Sequence, residues 1–339
     1  MAATETVRPP AVTASSHRTT GLLIGLGSAA AFGLSGSFGH ALLDLGWSPT
    51  ALVAARVGGA FLVLLIPCLL LLRRTGLPNL RQSGRVVVYG VVAVAGCQLF
   101  YFSSLQHLSV GVALLLEYLA PVALIGWRWS RGERPSAAVL AGAGLALVGL
   151  ALVLDVTHGF TVSGVGVAYG LAAMLCLAAY FVLSESRADA SELPPLVLLT
   201  GGTGVGVVVL LAVGGLGLLP LTVGFGTADL GGRELPWWAP MALLVLVSAV
   251  LAYLTGIMAV RRLGGPVASF VALTEVLFAI VFAAVLVSQI PTGGQLLGAL
   301  LVLVGVVVVQ GGSATAPPWA AGRLLYRAAL GRFRSTIRR

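Results

Sequence analysis

Apolar residues run through this chain in long stretches, without the polar face that an amphipathic surface helix keeps toward water. Ten such stretches can be marked, at 21–42, 49–72, 86–106, 109–129, 136–154, 163–184, 194–216, 239–260, 265–288 and 291–310. Each approaches the roughly 20 residues that a helix needs to cross a hydrocarbon core of about 30 Å. Backbone inside a bilayer has no water to bond, so each stretch is expected to be helical. Trp47, Trp127, Trp129, Trp237 and Trp238 fall at stretch ends, where an interfacial belt would put them. The pattern predicts an all-α integral membrane protein of ten transmembrane helices.

Composition agrees: 58% of the residues are hydrophobic and 9% are charged, against about 25% charged in soluble domains. The net charge of +9 comes from arginine, since the chain has no lysine. Ten spans assign the loops to two sides, and eighteen of the twenty arginines then share one side. Arg233 lies on the other and Arg56 lies within a span. Positive loops stay inside, so both termini are expected in the cytoplasm and the protein in the cell inner (plasma) membrane. Arginine in short loops beside apolar spans sets topology, which excludes a nucleic-acid interface. Residues 1–20, rich in Thr, Ser and Pro, read as a disordered cytoplasmic lead without the apolar core of a signal peptide. Residues 313–339 read as a basic tail against anionic lipid. Cys68, Cys97 and Cys176 lie in apolar spans without CxxC spacing and are expected to be small core residues.

An internal repeat divides the chain. Leu147, Val148 and Gly149 recur as Leu303, Val304 and Gly305, Pro135 as Pro291 and Gly142 as Gly298, all at an offset of 156. Leu108 matches Leu263 at 155, and AAAFGLSGSF from Ala29 matches AMLCLAAYFV from Ala173 more loosely at 144. The expected units are 21–154 and 163–310, five spans each. An odd number of spans forces the second copy into the membrane upside down, the arrangement of alternating-access transporters. Gly202 with Gly206, and Gly142, Gly144 and Gly149, read as surfaces for close helix packing.

Three ionisable residues interrupt the spans: Arg56 in the second, Glu117 in the fourth and Glu275 in the ninth. A charge at the bilayer centre costs about 2.5–3.5 kcal/mol, so such residues mark pathways or pairs. Counted along their helices, Glu117 lies about 13 Å from the outer face and Glu275 about 18 Å from the inner one, nearly level, with Arg56 about 10 Å deep. Under the repeat register Glu117 matches Ala272 and Glu275 matches Ala120, so the acids are not symmetry mates, although both fall on one helical face. One reading locks helices through an ion pair of Arg56 with a glutamate. The other has the carboxylates lining a substrate pathway, at least one binding an ammonium group or a proton. Ser35, Gln98, Tyr101, Tyr180 and Tyr253 are candidate pocket residues on the same spans. His40, His107 and His158 lack a second ligand at metal spacing, and neither metal nor cofactor is expected. Pro121, one turn after Glu117, is expected to loosen the fourth helix.

On these features the chain resembles the EamA family of the drug/metabolite transporter superfamily over residues 20–312. The likeness rests on the 5 + 5 layout, FGLSGSF in the first span, Arg56, GVALLLEYLAPV in the fourth and LGGPVASFVALTEVLFAIV in the ninth. It implies two inverted five-helix repeats around a central cavity, with the fifth and tenth helices peripheral. It further implies export of amino acids or related metabolites, with EYLAP and Gln98 nearest the threonine and homoserine branch. Two departures are Ser288-Gln289, where the family carries an acid, and Val276 after Glu275, where Pro is common. The expected partners are a small-molecule substrate and membrane lipids, for a monomer or homodimer. Uptake, or movement of a lipid-linked sugar, fits the same fold. An intramembrane enzyme using two carboxylates is the remote alternative, since the chain lacks a GxGD-like context and hydrolysis does not explain an inverted repeat.

Overall fold

The computed structural model describes residues 12–105, 107–108, 115–153, 163–185, 192–230, 232–286 and 291–314. His158, Arg187, Ser288-Gln289, residues 1–11 of the lead and the tail from 315 lie outside the described residues. Helices dominate. In chain order they are α1 (Val12–Asp44), α2 (Pro49–Thr75), α3 (Leu80–Val88), a π-helical turn π1 (Tyr89–Gly96), α4 (Cys97–Leu105), α5 (Ala120–Ser130), α6 (Ala137–Val153), α7 (Gly164–Ser184) and α8 (Pro195–Gly215). After these come a small hairpin, β1 (Thr227–Asp229) and β2 (Glu234–Pro236), then α9 (Trp238–Val245), π2 (Leu246–Leu251), α10 (Ala252–Leu263), α11 (Gly265–Ala272), α12 (Thr274–Leu286) and α13 (Gly293–Ala314).

Among the described residues seven helical stretches are long and apolar enough to cross a membrane, while Ala137–Val153 and Gly293–Val309 are apolar but shorter. The fourth expected span is described only from Leu115, and it breaks at Tyr118 and Leu119. Its break has a local cause. Pro121 has no N–H for the carbonyl of Glu117, and the chain tightens so that Leu119 N donates to Leu116 O at 3.2 Å. The ninth span breaks at Leu273, whose N–H donates to Phe270 O at 3.1 Å. Shifted by the repeat offset of 155, Tyr118 falls on Leu273 and π1 falls on 244–251, over π2.

Packing follows small residues. α6 and α13 lie against each other with Gly142 facing Gly305 and Gly149 facing Gly298, so these two repeat-related helices run antiparallel. A Cβ on Gly149 would stand 2.6 Å from Gly298 O, and one on Gly298 would stand 2.5 Å from Gly149 O, so the backbones touch where glycine allows it. α1 packs on α10 and α12, α2 on α8, and α4 on α7. Thus helices of one half lie beside helices of the other. The arginine-poor end is strapped by the segment before the hairpin: Ser48 N donates to Thr222 O at 2.9 Å, Ser48 Oγ to Pro220 O at 2.8 Å, and Trp47 Nε1 to Gly224 O at 2.6 Å. Phe38, Leu42, Trp47, Leu52, Met241 and Leu244 form a buried apolar cluster beneath that strap.

Candidate functional site

Between the two halves lies a cavity of about 730 Å³. Each wall is set by an interruption in a helix or by a helix crossing the middle of the bundle. α1 contributes Ser28, Phe32 and Ser35, α2 contributes Arg56, and α7 contributes Tyr180. Where π1 ends, α4 presents Cys97, Gln98 and Tyr101, and where π2 ends, α10 presents Tyr253. The two helix breaks supply Glu117 with Tyr118, and Glu275. Gly33 brings α1 onto the second break: a Cβ there would stand 2.9 Å from Glu275 O and from Ala279 N.

All eight residues singled out from the sequence, Glu117, Glu275, Arg56, Gln98, Tyr101, Tyr180, Tyr253 and Ser35, line this one cavity. The two acids are half-buried, as expected of side chains that face a hollow inside a bundle. Glu117 has a neutral partner: Cys97 Sγ donates to its Oε1 at 3.2 Å. Tyr118 lines the same cavity as Glu275.

Arg56 takes a different partner from the one its charge suggests. Its Nη2 donates to Ser248 O at 2.6 Å, and no ion pair joins it to Glu117 or Glu275 among the described residues. The reason lies in π2. The N–H of Ala252 turns to Val247 O and Ala249 O, and so passes over Ser248 O, its α-helical acceptor. A buried carbonyl that its α-helical donor has passed over needs another donor, and Arg56 supplies it.

Sequence reasoning missed Cys97 and Tyr118. Cys97 was expected to be inert packing, and it is buried as expected, yet its thiol is the hydrogen-bond donor to Glu117. Twenty residues separate the pair along the chain, so spacing gave no signal. Tyr118, adjacent to Glu117 in the chain, lines the same cavity. Aromatic faces complete the wall: Phe32 and Tyr253 pack edge to face at 4.8 Å, and Tyr180 and Tyr253 at 6.1 Å.

The arginine-rich end is closed one to two helical turns beyond the cavity. Glu185, just past α7, accepts from Arg128 of α5 and from Gly265 N at the start of α11, at 2.6 Å. Buried Arg85 of α3 donates to Glu185 O at 2.7 Å, and Arg261 of α10 donates to Leu193 O. Of these, the bonds of Arg128 and Arg85 to Glu185 join the two halves.

The EamA-like transporter family profile matches the chain twice, at residues 19–155 and 164–310. The chain is 26% identical over 243 residues to the "Uncharacterized inner membrane transporter YicL" of Salmonella typhimurium, covering 69% of this chain and 75% of that one. It is 30% identical over 152 residues to an "Uncharacterized transporter" of Archaeoglobus fulgidus, covering 45% of this chain and 52% of that one. A solved crystal structure superposes with a TM-score of 0.70 at 21% identity, over 86% of this chain and 96% of the other, a likeness of fold.

Proposed function

The chain belongs to the EamA-like transporter family, and from that premise we propose that it exports small ammonium-bearing metabolites, amino acids first, by alternating access. The observation that carries this reading is the convergence of Glu117, Glu275 and Arg56 on one cavity with neither acid ion-paired among the described residues. Intramembrane carboxylates without a fixed counter-charge are suited to binding a mobile cation or a proton. In this reading Glu117 and Glu275 take the ammonium group or the coupling proton. Arg56, Gln98, Tyr101, Tyr180, Tyr253 and Ser35 shape the pocket.

Two inverted repeats of five helices are part of the proposal. The antiparallel α6 and α13, and the paired π turns and paired helix breaks at one register, support it. The arginine-rich end is assigned to the cytoplasm, which makes this form closed to the cytoplasm by the Arg128, Glu185 and Gly265 contacts. Reconstituted protein loaded with a labelled amino acid is expected to show counterflow with unlabelled amino acid outside. Glu117→Gln is expected to cut the rate at least tenfold. Wild-type rates in that variant would refute the role of Glu117.

A further inference from the structure

The charges on the cavity wall do not balance, and the imbalance bears on the net charge of the ligand. Two carboxylates, Glu117 and Glu275, face one guanidinium, that of Arg56. Among the residues whose side chains are described, no other arginine and no histidine lines the cavity. Cys97, the donor to Glu117, is neutral, and Arg56 is drawn toward the wall by its bond to Ser248 O. With both acids ionised the empty site therefore carries one uncompensated negative charge. A zwitterion leaves that charge in place on binding, whereas a monocation cancels it. Charges removed from water are stable only when balanced.

We infer that the cavity takes a ligand of net charge +1, a primary or substituted alkylammonium without a free carboxylate, and that a zwitterion enters only together with a proton. The inference rests on the transport reading above but puts ammonium compounds without a carboxylate ahead of the amino acids named there, which fit only with an accompanying proton. The wall chemistry suits such a ligand. Phe32, Tyr180 and Tyr253 form a contiguous aromatic surface in the same cavity, and aromatic faces attract ammonium groups and cover alkyl chains. A volume of about 730 Å³ leaves room for a side chain well beyond that of the smallest amines.

The test uses full-length protein in detergent and three matched compounds for each of leucine, phenylalanine and threonine: the free amino acid (net charge zero), its amide (+1) and its N-acetyl derivative (−1). Direct binding is read by equilibrium dialysis of labelled compound at pH 7. The amide is expected to bind at least tenfold tighter than the free acid of the same side chain, and the N-acetyl compound not at all. Equal or tighter binding of the free acid overturns the inference, as does absence of binding by all three amides.

Glu117→Gln and Glu275→Gln each bring the wall to one acid and one base. In both variants the amide-to-acid preference is expected to fall at least tenfold. Because it is a ratio within one protein sample, a reduced yield of folded variant does not disturb it. An unchanged ratio in both variants overturns the charge-balance argument. Sealed proteoliposomes separate the two readings. If amides bind but no compound crosses, transport fails and the cation assignment stands; if free acids cross and amides do not, the cation assignment fails and transport stands.

Discussion

Arg56 shows how the fate of one side chain depends on backbone elsewhere. Its guanidinium bonds a carbonyl that a π turn has left without its helical donor, 192 residues along the chain. Removing it takes that donor from the carbonyl of buried Ser248, at a cost of about 1–3 kcal/mol. Arg56→Met is therefore expected to lower the melting temperature of detergent-solubilised protein by several degrees, whatever it does to transport; an unchanged melting temperature would show that the bond is not formed. Cys97 is a milder case. Its thiol gives Glu117 its donor at 3.2 Å, a bond that a serine hydroxyl can replace and an alanine cannot. Cys97→Ser is expected to keep amide binding within about threefold of wild type, and Cys97→Ala to change it by more, both read by equilibrium dialysis. The three ionisable residues were legible in the sequence because a charge within an apolar span has no bland explanation. Cys97 and Tyr118 were not legible, because a thiol or a phenol in a span is ordinary until it is seen to line the same cavity as a carboxylate.

At the scale of elements, helix irregularity places the site. The break after Glu117 follows from Pro121, and the ninth span breaks at the matching register although it has no proline there. Leu273 tightens onto Phe270 O, and the Thr274 hydroxyl returns to Val271 O at 2.6 Å. Proline was therefore a readable signal in one half, and the π turns were not readable in either. Pro121→Ala restores an N–H for Glu117 O and favours a continuous helix. It is expected to leave stability unchanged or raised while slowing counterflow severalfold, a combination that thermal melts and flux assays report together. The small-residue surface of α6 was legible, but not that α13 would cover it: Gly142 and Gly149 meet α13 there, while Gly144 faces open space. Gly149→Leu must push Gly298 O away. It is expected to destabilise the protein by about 1–3 kcal/mol, visible as earlier aggregation on heating.

Across the whole molecule, the two ends are held by different chemistry. Backbone and hydroxyl bonds from the segment before the hairpin strap the arginine-poor end, while an arginine and glutamate network joins the halves at the other. Alternating access requires the second set to open. Glu185→Gln weakens the grip on Arg128 and on Gly265 N together. With Cys68, Cys97 and Cys176 replaced by alanine and a single cysteine at Ala268, labelling by an impermeant maleimide from the arginine-rich side is expected to rise severalfold in the Glu185→Gln background. No rise would show that this network does not gate the cavity.

The sequence by itself determined that the chain is a helical membrane protein and that it is built as two copies of one unit, because hydrocarbon leaves the backbone few options and the repeat is written in residues; of the ten spans it marked, seven are helices long enough to cross among the described residues. It also named the ionisable residues. Only the tertiary structure decided whom those residues meet: that Arg56 answers a backbone carbonyl and, among the described residues, pairs with neither acid, that Glu117 receives a neutral thiol donor, and that Glu185 ties the halves together. Each of these is a contact between distant segments, and burial sets its strength, so no local pattern along the chain encodes it.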